Sequence, residues 1–81
     1  MLRVKVTAQA LWEIILRWNM TQNQLAKRAG ITSGHLSQLI NGDRLPSPAV
    51  RRKLLEALDP LEFDDIFEIQ EVPAVRGDGA S

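Results

Sequence analysis

The first regular feature of the chain is a stripe of apolar residues at positions i, i+3, i+4 and i+7: Leu11, Ile14, Ile15 and Trp18. This spacing places the four side chains on one face of a helix. Thr7 is a residue type that favours the N-cap position, and Asn19 is a common stop. The pattern therefore predicts a helix over about residues 8–18.

A second helix is indicated mainly by the residues at its two ends. Thr21 and Gln24 have the T-x-x-Q spacing of a capping box, in which each side chain bonds the backbone N–H of the other residue. Gly30 suits the left-handed conformation in which helices end, because it has no Cβ to clash there. We therefore predict a helix over about residues 22–29, with Leu25 and Ala29 facing inward.

A third helix follows at once, with Thr32 or Ser33 as its cap and Asn41-Gly42 at its end. The lone apolar residue Ile31 is expected to turn inward and plug the turn between the two helices. Three residues give the third helix an apolar side: Leu36, Leu39 and Ile40. Six small or polar residues form its other side and should face outward: Ser33, Gly34, His35, Ser37, Gln38 and Asn41.

Two further helices are predicted in the second half of the chain. Ser47 and Pro48 form an N-cap and N1 pair for a fourth helix that ends near Asp59-Pro60. Its buried stripe is Val50, Leu54, Ala57 and Leu58. A short fifth helix over about residues 61–67 is indicated by the i, i+3, i+4 spacing of Phe63, Ile66 and Phe67. Asp59 is a candidate cap for this helix, with Pro60 at N1.

Apolar and polar residues alternate on both flanks of the helical region, and this alternation predicts short strands. The alternating positions are Val4 and Val6 on one flank and Phe67, Ile69 and Glu71 on the other. The strands could pair with each other or with a second subunit, because an isolated two-stranded ribbon is only marginally stable.

The fold class that follows is all-α, a compact bundle of about five short helices with the option of short terminal β-strands. Residues 1–72 are expected to form one domain. Residues 73–81 contain Pro, Gly, Asp and Ser and little that could be buried, so a disordered C-terminal tail is predicted there.

Composition limits the possible functions. The chain has 81 residues and no cysteine, which excludes disulfide frameworks, Cys-based zinc sites and thiol nucleophiles. The sequence shows no nucleophile paired with a base, no Gly-rich phosphate loop and no metal cluster, so neither catalysis nor a cofactor is expected. With no visible membrane span or signal peptide, we expect a cytoplasmic protein without membrane contact.

Charge divides the chain into two parts of opposite sign, although the formal net charge is zero. Residues 1–53 hold nine basic and two acidic residues, a net charge of +7, and residues 54–81 hold one basic and eight acidic residues, a net charge of −7. The basic part suits a polyanionic partner, since its field steers binding over about 8 Å, the Debye length at physiological salt. The alternative is that these charged residues only form a solvated surface and bind no partner.

Two short helices joined by a tight turn, with apolar residues only on their inner sides, allow one exposed helix to enter the DNA major groove. Four segments of the chain carry this pattern: Thr21-Gln22-Asn23-Gln24-Leu25-Ala26, Ala29-Gly30-Ile31-Thr32, Leu36-Ser37-Gln38-Leu39-Ile40-Asn41-Gly42 and Pro46. With these residues the chain resembles the Cro and lambda-repressor type helix-turn-helix family. The resemblance covers about Leu11 to Phe67.

The resemblance implies DNA contacts position by position. Gln22, the first residue of the second helix, would lie against the sugar-phosphate backbone, and Asn41, Arg44 and Arg51 would be further phosphate contacts. Base contacts would come from the exposed side of the third helix: Ser33, Gly34, His35, Ser37 and Gln38. Gln38 is the main candidate, because a glutamine side chain can pair with both N6 and N7 of adenine.

The sequence departs from the family pattern in three places. Gly34 has no side chain at a position that often reads a base, so specificity there must come from Ser33, His35 or DNA shape. Asp43 stands where a basic residue is common, which weakens the phosphate clamp. Ile40 replaces a residue that is usually polar or aromatic, and it could belong to the core or to a surface for a partner.

Several residues have a structural explanation beside a functional one. His35 could contact DNA, bind a metal or simply be exposed, and a zinc site is disfavoured without a second histidine or a cysteine. Trp12 and Trp18 could stack on bases, but packing in the core or between subunits is the simpler explanation. Chance explains the integrin-type tripeptide Arg76-Gly77-Asp78. A cation site or, more simply, a solvated acidic face would account for four carboxylates: Glu62, Asp64, Asp65 and Glu68.

The function that we expect is sequence-specific binding of double-stranded DNA by a transcriptional repressor, located in the cytoplasm and associated with the nucleoid. As a homodimer on a near-palindromic operator, it would place its two third helices in successive major grooves about 34 to 36 Å apart. Residues 4–6 and the acidic C-terminal segment are candidates for the dimer contact. The alternative is an antitoxin or phage adaptor that acts mainly through protein–protein contacts of that acidic segment.

Overall fold

Helices and strands follow one another in the computed structural model of the chain, which describes residues 1–73. Their order is β1 (Leu2–Val6), α1 (Ala8–Arg17), α2 (Gln22–Ala29), α3 (Ser33–Asn41), α4 (Pro48–Ala57), α5 (Phe63–Ile66) and β2 (Phe67–Glu71). The predicted helical bundle with short terminal strands is confirmed. Residues 74–81, which include most of the predicted tail and the Arg76-Gly77-Asp78 tripeptide, lie outside the described residues.

Side-chain caps fix the starts of α2, α3 and α4. The hydroxyl of Thr21 accepts a hydrogen bond from the Gln24 N–H at 3.1 Å, and the Gln24 side chain accepts one from the Thr21 N–H at 2.8 Å, so the predicted capping box is confirmed. Thr32 caps α3 through the His35 N–H at 3.0 Å, and Ser47 caps α4. These bonds satisfy backbone donors that have no partner within the helix.

The first three helices are each followed by a residue in the left-handed conformation: Asn19 with φ 55°, Gly30 with φ 74° and Gly42 with φ 82°. Asparagine and glycine adopt this conformation more readily than other residues. The N–H of the next residue then donates to a carbonyl in the last turn: Met20 to Ile15 at 3.0 Å, Ile31 to Ala26 at 3.0 Å and Asp43 to Gln38 at 2.9 Å. The chain therefore leaves each helix sharply, and α1 ends one residue earlier than predicted.

The fifth helix is shorter than predicted. Glu62 rather than Asp59 is its N-cap, and the Asp65 carboxylate accepts a hydrogen bond from the Glu62 N–H at 2.7 Å. Phe67 is predicted both as the end of this helix and as the first residue of the alternating flank, and it begins β2, because its backbone pairs with Val6 of β1. Similarly, α4 ends at Ala57, before the predicted Asp59-Pro60.

The two strands pair with each other in an antiparallel ribbon, which confirms one of the two predicted options. Residues directly opposite each other share a face of such a ribbon. One face carries the pairs Leu2 with Glu71, Val4 with Ile69 and Val6 with Phe67. The other face carries the polar pairs Arg3 with Gln70 and Lys5 with Glu68.

The core lies between the helices and the inner end of the ribbon, where Val6 and Phe67 are buried. Ile40 is only 5% exposed, so this departure from the family pattern is a core residue. Ile31 and Trp18 pack against the core, as predicted, whereas Trp12 is 45% exposed and does not belong to it. No helix of the described residues is long and apolar enough to cross a membrane.

Candidate nucleic-acid interface

The position of α3 on the surface is fixed by its apolar side. Leu36 and Leu39 are fully buried, and Ile40 lies beside them in the core. The three-residue turn before α3 is anchored by Ile31, which packs against the same core. Since these contacts use one side of the helix, the opposite side is left accessible.

The five residues predicted to contact bases all lie on this accessible side. Ser33, Gly34 and Gln38 are exposed, and His35 and Ser37 are half-buried. Gly34 is not required for packing, because a Cβ built there would meet no atom within 4 Å. Its effect is to leave open space above the first turn of α3.

An open depression of about 450 Å³ joins the start of α2 to the start of α3. It is lined by the predicted phosphate contact Gln22 and by three predicted base contacts, Ser33, Gly34 and Ser37. Thr21 and Asn23, at the start of α2, complete the lining. The fold thus brings together residues for which the resemblance predicts two different roles, phosphate contact and base contact. A surface that contacts backbone and bases at once needs this proximity.

Gln38 and Arg44 contact each other, although the sequence predicted separate roles for them. A guanidinium N–H of Arg44 donates to Oε1 of Gln38 at 3.2 Å. An amide oxygen has two lone pairs and the amide nitrogen of Gln38 keeps its two donors, so the side chain retains the groups that pair with adenine. Arg44 therefore lies at the predicted base-reading residue.

The pKa of His35 reflects the positive charge near this surface. Partial burial, and then the positive charges of Arg44 and Lys53, hold the pKa of His35 below its ordinary value. The imidazole is therefore neutral at neutral pH, with one nitrogen as donor and the other as acceptor. Two cations close enough to shift this pKa are the flanking positive charge that a polyanion-binding surface needs.

The remaining predicted contacts lie in different places. Asn41 is exposed at the C-terminal end of α3. Arg51 is half-buried and lines a separate groove beside the ribbon, with Leu45 and Ile69. Its Nε is shielded from solvent and has no hydrogen-bond partner among residues 1–73. None of the other predicted contacts lines this groove.

Sequence reasoning missed three polar residues around α3. Asn23 and Lys27 lie one turn apart on α2 and, with Ser33, line a second depression of about 360 Å³. The i, i+4 spacing of Asn23 and Lys27 is a signal that could have found them. Lys53, which acts on His35, follows two arginines in α4, and only the fold shows which of the three cations is near α3.

The predicted carboxylates of the C-terminal part are solvent-exposed: Glu62, Asp64, Asp65 and Glu68. Within residues 1–73, no three His, Asp or Glu side chains are grouped so that they could hold a metal ion. The solvated acidic face is the interpretation that agrees with this arrangement.

A protein-family model described as "Helix-turn-helix" matches residues 18–66, which is more than half of the chain. The chain belongs to the helix-turn-helix family. The matched region contains α2, the turn and α3, as the resemblance from the sequence predicted. This helix-turn-helix chain is also similar to the uncharacterized HTH-type transcriptional regulator YvzC of Bacillus subtilis (strain 168).

The similarity to YvzC amounts to 28% identity over 65 residues, which cover 80% of this chain and 83% of YvzC. No solved structure shows a significant match to the chain. Membership of the helix-turn-helix family supports a role in DNA-binding transcription regulation, and it points to a regulator rather than an enzyme.

Proposed function

We propose that the chain is a sequence-specific transcriptional repressor that places the exposed side of α3 in the major groove of double-stranded DNA. The observation that carries this proposal is the depression shared by the starts of α2 and α3, which combines predicted phosphate and base contacts. A helix-turn-helix uses its second helix in this way, while its first helix lies across the backbone.

The roles of the residues follow from their positions. Base contacts are assigned to Ser33, Gly34, His35, Ser37 and Gln38. Gln38 is the main determinant, because the bidentate pair of glutamine with adenine contributes about 1 to 3 kcal/mol of discrimination. Gln22, Asn41 and Arg44 are assigned to phosphates, and the predicted phosphate role of Arg51 stays a prediction.

Electrostatics supports duplex DNA as the partner. Arg44 and Lys53 lie close enough to His35 to lower its pKa, and Lys27 lies near the depression on α2. The acidic residues of α5 and β2 belong to another part of the chain, with α5 packed against α1. Basic residues thus lie on the side of the molecule that carries α3, where phosphate contacts would form.

Binding as a homodimer on a near-palindromic operator is part of the proposal, because one recognition helix reads only a few base pairs. Two copies would place their α3 helices about 34 to 36 Å apart. Repression is the simplest outcome, since a bound dimer blocks other proteins without any further contact. A protein acting in this way would be found at the nucleoid, in the cytoplasm, as the sequence predicts.

The salt dependence of duplex binding tests the proposal. Affinity of the full chain for a random-sequence duplex, measured by fluorescence anisotropy, should fall steeply with salt as counterions are released. Arg44→Ala should weaken binding to this duplex and reduce the slope of log K against log salt by about 1. The matched control is Arg17→Ala, which removes one charge from an exposed residue of α1 and should leave the slope unchanged.

Two results would contradict the proposal. The first is the absence of duplex binding even at low salt, together with co-purification of a second polypeptide through residues 59–72, which would favour the adaptor alternative. The second is an equal effect of Arg44→Ala and Arg17→Ala, which would mean that net charge rather than the α3 surface determines binding.

A further inference from the structure

The loop that follows α3 is bonded to Gln38 at two atoms. The N–H of Asp43 donates to the carbonyl oxygen of Gln38 at 2.9 Å, and a guanidinium N–H of Arg44 donates to its side-chain Oε1 at 3.2 Å. We propose that Arg44 is a positioning residue that fixes the amide orientation of Gln38 and thereby sets its preference for adenine over guanine. This role rests on the proposed function, since it concerns which base pair the same surface selects.

The backbone on both sides of Arg44 holds it near α3. Gly42 adopts the left-handed conformation, with φ 82°, and turns the chain sharply out of the helix. The bond from the Asp43 N–H to the Gln38 carbonyl closes this turn just before Arg44. Two residues after Arg44, the buried Pro46 anchors the loop, and its ring fixes φ. The side chain of Arg44 therefore starts from a defined point beside the C-terminal half of α3.

His35 shows on which side of α3 the Arg44 guanidinium lies. His35 precedes Gln38 by three residues, so the two side chains lie on the same side of the helix. Partial burial, and then the positive charge of Arg44, hold the pKa of His35 below its ordinary value. A cation that bonds Gln38 and also acts on His35 lies over the predicted base-reading side of the helix.

A glutamine amide can present two different edges to a base pair. Its terminal torsion is roughly two-fold, and a half-turn exchanges the oxygen, which accepts, with the nitrogen, which donates. The guanidinium of Arg44 has only donors, so the oxygen of Gln38 and not its nitrogen lies beside it. The contact therefore selects one of the two orientations, with Oε1 towards Arg44 and Nε2 turned away.

This fixed orientation distinguishes adenine from guanine. In the major groove adenine presents the N6 donor and the N7 acceptor, whereas guanine presents two acceptors, O6 and N7. Gln38 matches adenine at both atoms, because the second lone pair of Oε1 accepts from N6 and Nε2 donates to N7. Against guanine the same orientation sets Oε1 against O6, and an unrestrained glutamine would turn its nitrogen there instead. By opposing that turn, Arg44 favours adenine.

Arg44 can hold Gln38 and contact a phosphate at the same time. A guanidinium has five N–H donors in a fixed plane, and the bond to Gln38 uses one of them. Both side chains are exposed, so the remaining donors of Arg44 are accessible to a DNA strand. A charge-assisted bond to phosphate would hold the guanidinium in place against competition from water. The phosphate role proposed for Arg44 is therefore compatible with the positioning role.

The first test observes Gln38 in the free protein. NMR order parameters of the side-chain amides are measured on the full chain for the wild type, for Arg44→Ala and for the charge control Arg17→Ala. The Gln38 amide should become more mobile only in Arg44→Ala, because its oriented contact is lost there. The Gln70 amide is an internal control, since its Oε1 accepts from Arg3 at 3.2 Å on the ribbon. Equal mobility of the Gln38 amide in all three proteins would overturn the proposal.

The second test measures base preference. The wild type selects a duplex from a random pool, and Gln38→Ala identifies the position that Gln38 reads. Four versions of that duplex, which differ only in the base pair at this position, are then titrated by fluorescence anisotropy. Arg44→Ala should reduce the preference for adenine over guanine there about 2- to 10-fold, the range that one hydrogen bond of ordinary net strength accounts for. Preferences at the other positions should stay unchanged.

A double variant separates positioning from loss of charge. In a chain that already carries Gln38→Ala, Arg44→Ala should weaken binding to all four duplexes alike, because no amide is left to position. Arg17→Ala should keep the full preference for adenine. Circular dichroism and thermal unfolding establish that each variant is folded. A change of base preference on adding Arg44→Ala to Gln38→Ala would overturn the proposal.

This proposal and the proposed function fail on different results. A wild type that enriches no sequence would contradict the proposed function and, with it, the base preference inferred for Gln38. A wild type that enriches a sequence, with an Arg44→Ala that keeps the full adenine preference, would overturn the positioning role and leave the function standing. Loss of preference at a neighbouring position instead would show that Arg44 reads a base of its own, and would also overturn the positioning role.

Discussion

Base recognition by this chain depends most on how Gln38 is held. The hydrogen bond from Arg44 to its Oε1, at 3.2 Å, favours one orientation of a flexible side chain. A side chain that is already oriented loses less conformational entropy when it binds. Both groups are exposed, so the hydrogen bond competes with water and contributes little to folding stability. Its importance lies in placing a base-reading group and a cation side by side.

His35 gives the surface a pH dependence at the residue scale. Burial and the cations Arg44 and Lys53 hold its pKa below the ordinary value in the free protein. DNA phosphates add negative potential and favour the protonated imidazole, so the complex binds more protons than the free protein. Affinity for duplex DNA should therefore rise as the pH falls from about 8 to about 6, the range in which histidine titrates.

The measurement is the Kd at constant salt across this pH range, with His35→Gln as the control. The variant should show a clearly smaller pH dependence. The folding stability has the opposite pH dependence. Because the pKa of His35 is lower in the folded chain than in the unfolded chain, its contribution to stability is fully present above the ordinary pKa and decreases as the pH falls through that value. An affinity of the wild type that is flat or decreases on acidification would contradict this account of His35.

At the scale of elements, local bonds at the helix ends determine where α2 and α3 begin. Thr21 and Thr7 occupy the same N-cap position of two helices, but only the Thr21 side chain makes a capping hydrogen bond. Thr21→Ala should therefore lower the free energy of unfolding by about 1 kcal/mol, as loss of a side-chain cap does. Thr7→Ala should change it by less than about 0.5 kcal/mol.

Urea unfolding of the two variants and the wild type, followed by circular dichroism, measures this difference. Equal losses of stability would show that the capping bond of Thr21 does not hold the start of α2.

Elements with local signals were predictable from the sequence, and those fixed by distant contacts were not. The capping box and Gly30 gave the observed bounds of α2, Gln22–Ala29. Phe67, in contrast, fits both the helical spacing of its neighbours and the alternation of the C-terminal flank, and its pairing with Val6, far away in the chain, makes it a strand residue. Strand pairing depends on the whole fold, so the sequence left the partner of each strand open.

The candidate site was predictable to a similar extent. The helical period identified the accessible side of α3 with Ser33, Gly34 and Gln38, because burial of one face determines the other. The contact of Arg44 with Gln38 and the position of Arg51 in the groove beside the ribbon were not predictable. Long cationic side chains reach neighbours that only the tertiary structure defines.

At the scale of the whole molecule, the described surface has three regions of different chemistry. The accessible side of α3 is polar and has cations nearby, the groove beside the ribbon is lined by apolar residues and two arginines, and α5 exposes carboxylates. The α3 surface and the groove beside the ribbon lie on neighbouring elements, because β1 packs against α3.

Selection of bound fragments from a pool of random duplexes, carried out in parallel with the wild type and Gln38→Ala, tests the central claim most directly. The wild type should enrich a near-palindrome whose half-sites are centred about one helical turn apart, some 10 base pairs. Gln38→Ala should keep that spacing and lose preference at one symmetric position. No enriched sequence, or the same preference at every position with Gln38→Ala, would contradict the claim that the exposed side of α3 reads DNA.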